Sequence, residues 1–171
     1  MIQEKRSHEL LSSLEIYTDG SCKSIANYRF GGWSFIALRD GAFLYRASGG
    51  KQDTTNQRME LVAICNALEY AHKNRHPNEK VYIYSDSAYA INCYQKKWYE
   101  TWLQNGWTNS QGQPVANADL WEKIIPYFEN FWYYFKKVPG HSNIYWNNEC
   151  DRLAQFEAQE LKDNFRGQQN E

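Results

Sequence analysis

Two stretches constrain the fold of this chain more than any other feature: LEIYTDGS at residues 14–21 and VYIYSDS at 81–87. In each, β-forming residues alternate up to an aspartate, and small polar residues then break the pattern. Leu14, Ile16 and Thr18 share one face of the first strand, and Glu15, Tyr17 and Asp19 share the other. In the second, Val81, Ile83 and Ser85 alternate with Tyr82, Tyr84 and Asp86. A carboxylate at the end of an apolar strand is expensive to bury unless its charge is compensated. One such aspartate serves equally well as a turn or helix-capping residue. Two in matching positions point to a site.

At 171 residues the chain suits a single domain (1–171) with a sizeable core. Seven Trp, thirteen Tyr and eight Phe exceed what such a core needs, so some rings are expected at the surface, where they can stack on bases. The net charge of −1 gives no global pull on a polyanion, so a nucleic-acid binder of this composition needs a local basic patch or bound cations. Cys22, Cys65, Cys93 and Cys150 are far apart with no C-x-x-C pair, which argues against a zinc site and fits free thiols in a reducing compartment. The first residues are too polar for a signal peptide, and no apolar run approaches the ~20 residues of a membrane span. The expectation is a soluble, cytoplasmic monomer that engages no membrane.

Taken in order, residues 1–12 read as a polar arm, followed by a strand to Asp19 and a loop, SCKSIANYRF. Strands WSFIALR and AFLYRAS flank Asp40-Gly41, a strong hairpin signal. After the polar connector 51–58, Leu61, Ile64, Cys65 and Leu68 follow helical spacing to about residue 75, with Pro77 and Asn78 beyond. The strand at 81–87 follows that helix, and such a crossover permits it to lie parallel to the first strand. Asp19 and Asp86 would then sit side by side. Residues 87–105 read as helical in one or two segments, 119–130 as a helix distorted by Pro126, 131–138 as a strand, and 150–162 as a last helix before a frayed tail. The expected fold is α/β, a five-stranded mixed sheet in βββαβαβα order with helices on both faces and a helical protrusion after the fourth strand, the core covering about residues 13–160.

Glu60 and Asp151 lie early in the helical segments MELVAICNALEY and NNECDRLA. Each alone reads as an acidic residue well placed at a helix N-terminus. Four carboxylates converging from two strand ends and two helix starts would repel one another and raise one another's pKa. Hard divalent cations, Mg²⁺ or Mn²⁺, relieve this, and a pair of them is a standard clamp for phosphodiester displacement.

TDGSC, TTNQRMEL, YSDSAYA, and VPGH followed by NNECDRLA resemble, in order, the signature segments of type 1 ribonuclease H. The resemblance covers roughly residues 13–160 and implies a Mg²⁺-dependent endonuclease, Mn²⁺ possible, that cuts the RNA strand of RNA–DNA hybrids with two metal ions and leaves 5′-phosphate and 3′-hydroxyl ends. It implies that Asp19, Glu60, Asp86 and Asp151 are the metal-binding and catalytic carboxylates and that His141 assists proton transfer. It further implies substrate contacts by Cys22, Asn27, Asn56 and Gln57, a DNA-phosphate contact by Thr55, and aromatic contacts from Trp98, Trp102 and Trp121, for which a place in the core is an equal reading. A free-standing enzyme is favoured over a domain of a reverse transcriptase, and a non-catalytic hybrid-binding module is disfavoured because no acidic ligand is missing.

Two segments depart from the family. The loop after Asp19 is longer than in bacterial relatives, with KSIANYRF replacing a Gly/Pro-rich turn. The segment from Trp98 to Glu122 has the length of the family's basic protrusion but contains no Lys or Arg, only Lys96 and Lys97 standing before it. Binding to a hybrid should then depend less steeply on salt, with Trp102, Trp107 and the Asn and Gln side chains of the segment supplying part of it.

Overall fold

The computed structural model describes residues 12–139 and 144–169. Its sheet has five strands: β1 (Ser13–Ile25), β2 (Tyr28–Arg39), β3 (Ala42–Gln52), β4 (Lys80–Ser85) and β5 (Tyr133–Lys137). They lie in the order β3-β2-β1-β4-β5. The first three form an antiparallel meander, and β4 runs parallel to β1 and to β5. The helices are α1 (Asn56–Asn74), α2 (Ala88–Gln95), α3 (Trp98–Gln104), α4 (Ala118–Asn130) and α5 (Tyr145–Gln169). The expected mixed sheet and element order are present.

Strand alternation divides the core in two. Leu14, Ile16, Phe35, Ala37, Val81 and Ile83 pack beneath Leu61, Ile64 and Leu68 of α1 and Trp121 and Ile124 of α4. Tyr17, Ile36 and Leu38 face the other way and meet Cys150 of α5. Each fully buried Leu or Ile contributes about 2 kcal/mol of transfer free energy, so the sheet is gripped from both sides. The hairpin at Asp40-Gly41 forms as the sequence indicates, with φ of 51° and 79° at its two turn residues. Before β4, the enclosed Glu79 carboxylate accepts from Arg39 Nε at 2.8 Å, Ser12 Oγ at 2.8 Å and the His76 N–H at 2.9 Å. Burial by itself would push its pKa up; these partners bring it below the ordinary value.

The structure corrects the sequence reading at several boundaries. The expected loop at 21–30 is instead a continuation of the β1–β2 ladder, paired from Ser21↔Gly32 to Ile25↔Tyr28 around a two-residue turn at Ala26-Asn27. Helix α5 is longer than expected at both ends, and residues 164–169 are helical rather than frayed. The two corrections share one cause. Phe165 packs on Tyr28 and Phe30, with ring centroids 4.5 and 5.3 Å apart, so the long hairpin and the end of the helix support each other. Helix α1 begins at Asn56, earlier than the apolar periodicity marks, because the Thr55 hydroxyl caps it by accepting from the Arg58 N–H at 3.2 Å. Pro126 sits on the exposed side of α4, which runs unbroken through it.

Helix α5 approaches the sheet at Gly32, where a Cβ would lie 1.9 Å from the Ala154 carbonyl oxygen. Backbone cannot yield as a flexible side chain does. Gly32→Ala is therefore expected to destabilise the protein by about 3 kcal/mol or more. Urea unfolding of the two proteins checks this, and an unchanged midpoint would contradict it.

Candidate active site

The parallel ladder between β1 and β4 ends at Tyr17↔Tyr84. Beyond it, the Thr18 hydroxyl donates to the Tyr84 carbonyl at 2.9 Å and β4 turns away into α2. The chain thus opens a notch beside Asp19, which is the next residue of β1, and Asp86 is the first residue past β4. Ser87 caps α2, its hydroxyl accepting from the Ala90 N–H at 3.3 Å, and so fixes the turn that carries Asp86.

Glu60 enters the notch from α1. The helix can come this close because residue 20 is glycine: a Cβ there would lie 2.3 Å from the Glu60 backbone nitrogen. Carboxylate oxygens of Asp19, Glu60 and Asp86 all lie within 4.8 Å of one another. Asp151, in α5, lies within hydrogen-bonding reach of Asp19 and is itself held by Gln155 Nε2 at 2.8 and 2.9 Å from its two oxygens.

The electrostatics follow from this crowding. Asp19 is buried and faces the charges of Asp86 and Asp151, and its pKa is pushed up to about 8 although the Gly20 N–H donates to it at 2.9 Å. Burial, with Asp19 and Asp86 beside it, holds Glu60 well above the carboxylate range. No ion pair among the described residues involves any of the four. Glu60 Oε2 is buried without a hydrogen-bond partner among the described residues. An all-oxygen, anionic set with an unpartnered buried oxygen suits a hard divalent cation, and Asp19, Glu60 and Asp86 are close enough together to hold one.

The other residues singled out from the sequence are dispersed around this cluster. His141 lies outside the described residues. Asn56 and Gln57 are exposed in the first turn of α1, and Gln57 Oε1 accepts from Asn117 Nδ2 at 3.0 Å. Thr55 is the half-buried cap of that helix. Cys22 is half-buried, its Sγ 3.7 Å from the Thr54 carbonyl oxygen. Asn27 is at the turn of the β1–β2 hairpin, eight residues past Asp19 and so ~27 Å along the strand.

Trp98 is half-buried and borders a cavity of about 490 Å³ lined also by Tyr89, Trp102, Thr108 and Val115. Trp102 is buried, and Trp107 packs on it with ring centroids 6.3 Å apart. Trp121 is fully enclosed, its indole N–H donating to the Tyr89 hydroxyl at 3.2 Å, and presents no surface to a ligand. The core reading wins for Trp121, because α4 lays it over the sheet.

Three supports escaped the sequence reading. The close approach at Gly20 leaves no sequence signal of its own. Gln155 was signalled by its i,i+4 spacing from Asp151. The third is a bidentate pair, with Arg58 donating to Asp119 at 2.9 and 2.7 Å and to Asn117 Oδ1 at 3.2 Å. It ties the start of α4 to the turn of α1 just before Glu60. Arg58 holds the Asp119 carboxyl down to about 2, but Asp119 is exposed, so the pair orients more than it stabilises.

Among the described residues no helix is long and apolar enough to cross a membrane. The sequence pattern of the RNase H family matches residues 12–159. A Ribonuclease H of Syntrophomonas wolfei is 43% identical over 144 residues, covering 84% of this chain and 94% of the relative. A Ribonuclease H of Acetivibrio thermocellus is 40% identical over 154 residues, covering 90% and 98%. Solved structures with the same fold include a PFV RNase H domain (TM-score 0.71, 21% identity, 86% of this chain and 95% of that one). LC11-RNase H1, solved in complex with an RNA/DNA hybrid, has a TM-score of 0.63 at 18% identity and covers 87% of this chain and 99% of that one. With the sheet order, the cluster of carboxylates and the family pattern spanning most of the sequence in agreement, the chain belongs to the ribonuclease H family of enzymes.

Proposed function

We propose that this enzyme hydrolyses the RNA strand of RNA–DNA hybrids at the cluster of Asp19, Glu60, Asp86 and Asp151, leaving 5′-phosphate and 3′-hydroxyl ends. One observation carries the reading: four acidic side chains converge with no cationic partner among the described residues, and Glu60 Oε2 is left buried and unpartnered. Relatives named Ribonuclease H, about 40% identical over most of the chain, support the substrate, as does a structural neighbour solved with an RNA/DNA hybrid.

Bound at these carboxylates, two divalent cations, Mg²⁺ or Mn²⁺, would supply neutralisation of the site, activation of the attacking water and stabilisation of the leaving 3′ oxygen. The protein's own contribution is placement. Gly20 lets the backbone of α1 come against β1, Ser87 fixes the turn after Asp86, and Gln155 fixes the rotamer of Asp151. The new bond joins the water oxygen to phosphorus, and the P–O3′ bond breaks. The water proton departs and the 3′ oxygen gains one, a transfer for which His141 is the candidate shuttle by its place in the PGH segment. Asn56 and Gln57 are exposed beside Glu60, where they would meet the 2′-hydroxyls that distinguish RNA from DNA. The Thr55 hydroxyl accepts from the Arg58 N–H, so its own proton stays available to a phosphate oxygen.

Labelled RNA–DNA hybrid, single-stranded RNA, double-stranded RNA and double-stranded DNA, each incubated with Mg²⁺, test the reading. Cleavage is expected in the RNA strand of the hybrid alone. Asp19→Asn is expected to lower the rate at least about 10³-fold, roughly 4 kcal/mol of barrier. Retention of wild-type rate by that variant would remove Asp19 from the chemistry.

The raised pKa of Asp19 predicts a further effect in metal-free protein. Its folded value, about 8, exceeds its unfolded value, 3.8, so the folded state holds a proton that the unfolded state has released between these limits. The stability contributed by this group is therefore lost as pH rises from about 4 to about 8. Asp19→Asn carries no such charge, so its melting temperature should exceed that of the wild type by a margin that grows across this window and levels off above it. Added Mg²⁺ should raise the wild-type melting temperature more than that of the variant. Calorimetric melts across the pH range with and without Mg²⁺ check both, and a constant margin would refute the assignment.

A further inference from the structure

We propose that the extended β1–β2 hairpin, together with the end of β3, is the cationic grip of this protein on the nucleic-acid backbone, taking the place of a protrusion that lacks basic residues. The inference rests on the hybrid-cleaving function proposed above and names where that substrate is held.

The protrusion is poorly suited to hold phosphates. Residues 98–122 contain Glu100, Asp119 and Glu122 and no Lys or Arg. The two lysines at its base are already engaged: Lys97 Nζ pairs with Glu100 at 3.2 Å, and Lys96 Nζ stands over the Trp98 ring, 5.7 Å from its centroid.

The hairpin is its opposite. The ladder continues six residues past Asp19 to Ile25 and returns through Tyr28. Lys23 pairs in register with Phe30 and Arg29 with Ser24, while Gly31 lies between Cys22 on one side and Lys51 on the other. Lys51, Lys23 and Arg29 thus fall on three successive rungs of neighbouring strands, which lie ~4.8 Å apart; alternation puts Arg29 and Lys51 together on the face of the sheet that carries α1, and Lys23, the rung partner of Phe30, on the face of α5. None of the three is in an ion pair among the described residues, and Arg29 and Lys51 are exposed. Asp53, just past the end of β3, is the acidic residue adjoining them in sequence.

The hairpin is also held firmly enough to act as a grip. Phe165 of α5 packs on Tyr28 and Phe30, and the Asp53 N–H donates to the Arg29 carbonyl at 2.9 Å. Lys23 is four residues along β1 from Asp19, and Arg29 is five residues along β2 from Ser34, the rung partner of Asp19. These separations are ~13 and ~17 Å at the rise of a strand. Along one nucleic-acid strand, with a charge per 3.4 Å of axis, that is about four to five nucleotides from the carboxylates. A backbone that ran from the notch along β2 would come to Arg29 at about that distance.

The test is the salt dependence of hybrid binding, read by fluorescence anisotropy on the Asp19→Asn background so that the duplex stays intact. Neutralising the two exposed side chains that share a face (Arg29→Gln/Lys51→Gln) is expected to lower the slope of log affinity against log salt by about 2, each phosphate contact carrying somewhat under one unit. Lys23→Gln, partly buried and on the opposite face, is measured beside it, with a smaller change of slope expected. Melting temperatures verify folding. A slope unchanged in the folded double variant overturns the inference, as does a slope that falls instead in Lys96→Gln/Lys97→Gln. Hybrid cleavage by the protein with an intact Asp19, run in parallel with Mg²⁺, separates the two readings. No cleavage alongside a hairpin-dependent slope would defeat the proposed function and leave the grip standing.

Discussion

Repulsion among Asp19, Glu60, Asp86 and Asp151 is the force that the rest of this structure must oppose. Natural domains are stable by only about 5–15 kcal/mol, and crowding anionic groups into a partly buried notch works against that margin. The scaffold answers with close approaches of backbone to backbone. Gly20 admits the turn of α1 that bears Glu60, and Gly32 admits the turn of α5 after Asp151. Neither approach would survive a side chain, so both helix positions are set by main-chain atoms that have no rotamers to relax into. The apolar faces beneath α1 and α5 then supply the transfer free energy that keeps the arrangement closed.

Much of this was legible in the sequence, for physical reasons that differ from element to element. The alternation in LEIYTDGS and VYIYSDS specified two buried strands because a sheet shows its neighbours a period of two, and a helix between them allowed the parallel pairing that the structure shows. The carboxylates were legible because an acid at the end of an apolar strand needs an explanation. The hairpin past Asp19 was not. SCKSIANYRF has the polarity of a loop, and it pairs as strand because Phe165, more than a hundred residues away, covers Tyr28 and Phe30. The extra length of α5 was hidden for the same reason. Trp121 was ambiguous because an aromatic at helical spacing fits a core and a binding face equally, and only the placement of α4 decides between them. Arg58 and Asp119 share no local pattern at all.

The aromatic residues show the same division. Their number suggested surface rings, and some are at the surface, such as Trp132 and Tyr145. Others stack on one another, some of them still exposed. Tyr17 stacks on Tyr84 at 4.6 Å, Tyr82 on Tyr134 at 5.1 Å, and Tyr45 on Tyr70 at 5.0 Å. In the protrusion, Trp102 and Trp121 meet edge to face at 5.6 Å. The segment that lacks basic residues is therefore built as a small aromatic core of its own, and its tryptophans are in the first place what gives it a shape.

Asp151 stands on the last described helix, and that has a consequence for the protein in the making. Asp19, Glu60 and Asp86 emerge from the ribosome early, with the strands and helix that carry them. The fourth carboxylate follows only after all the rest, and it reaches the notch only when α5 has closed over the sheet. Until then the chain holds an incomplete set of acids.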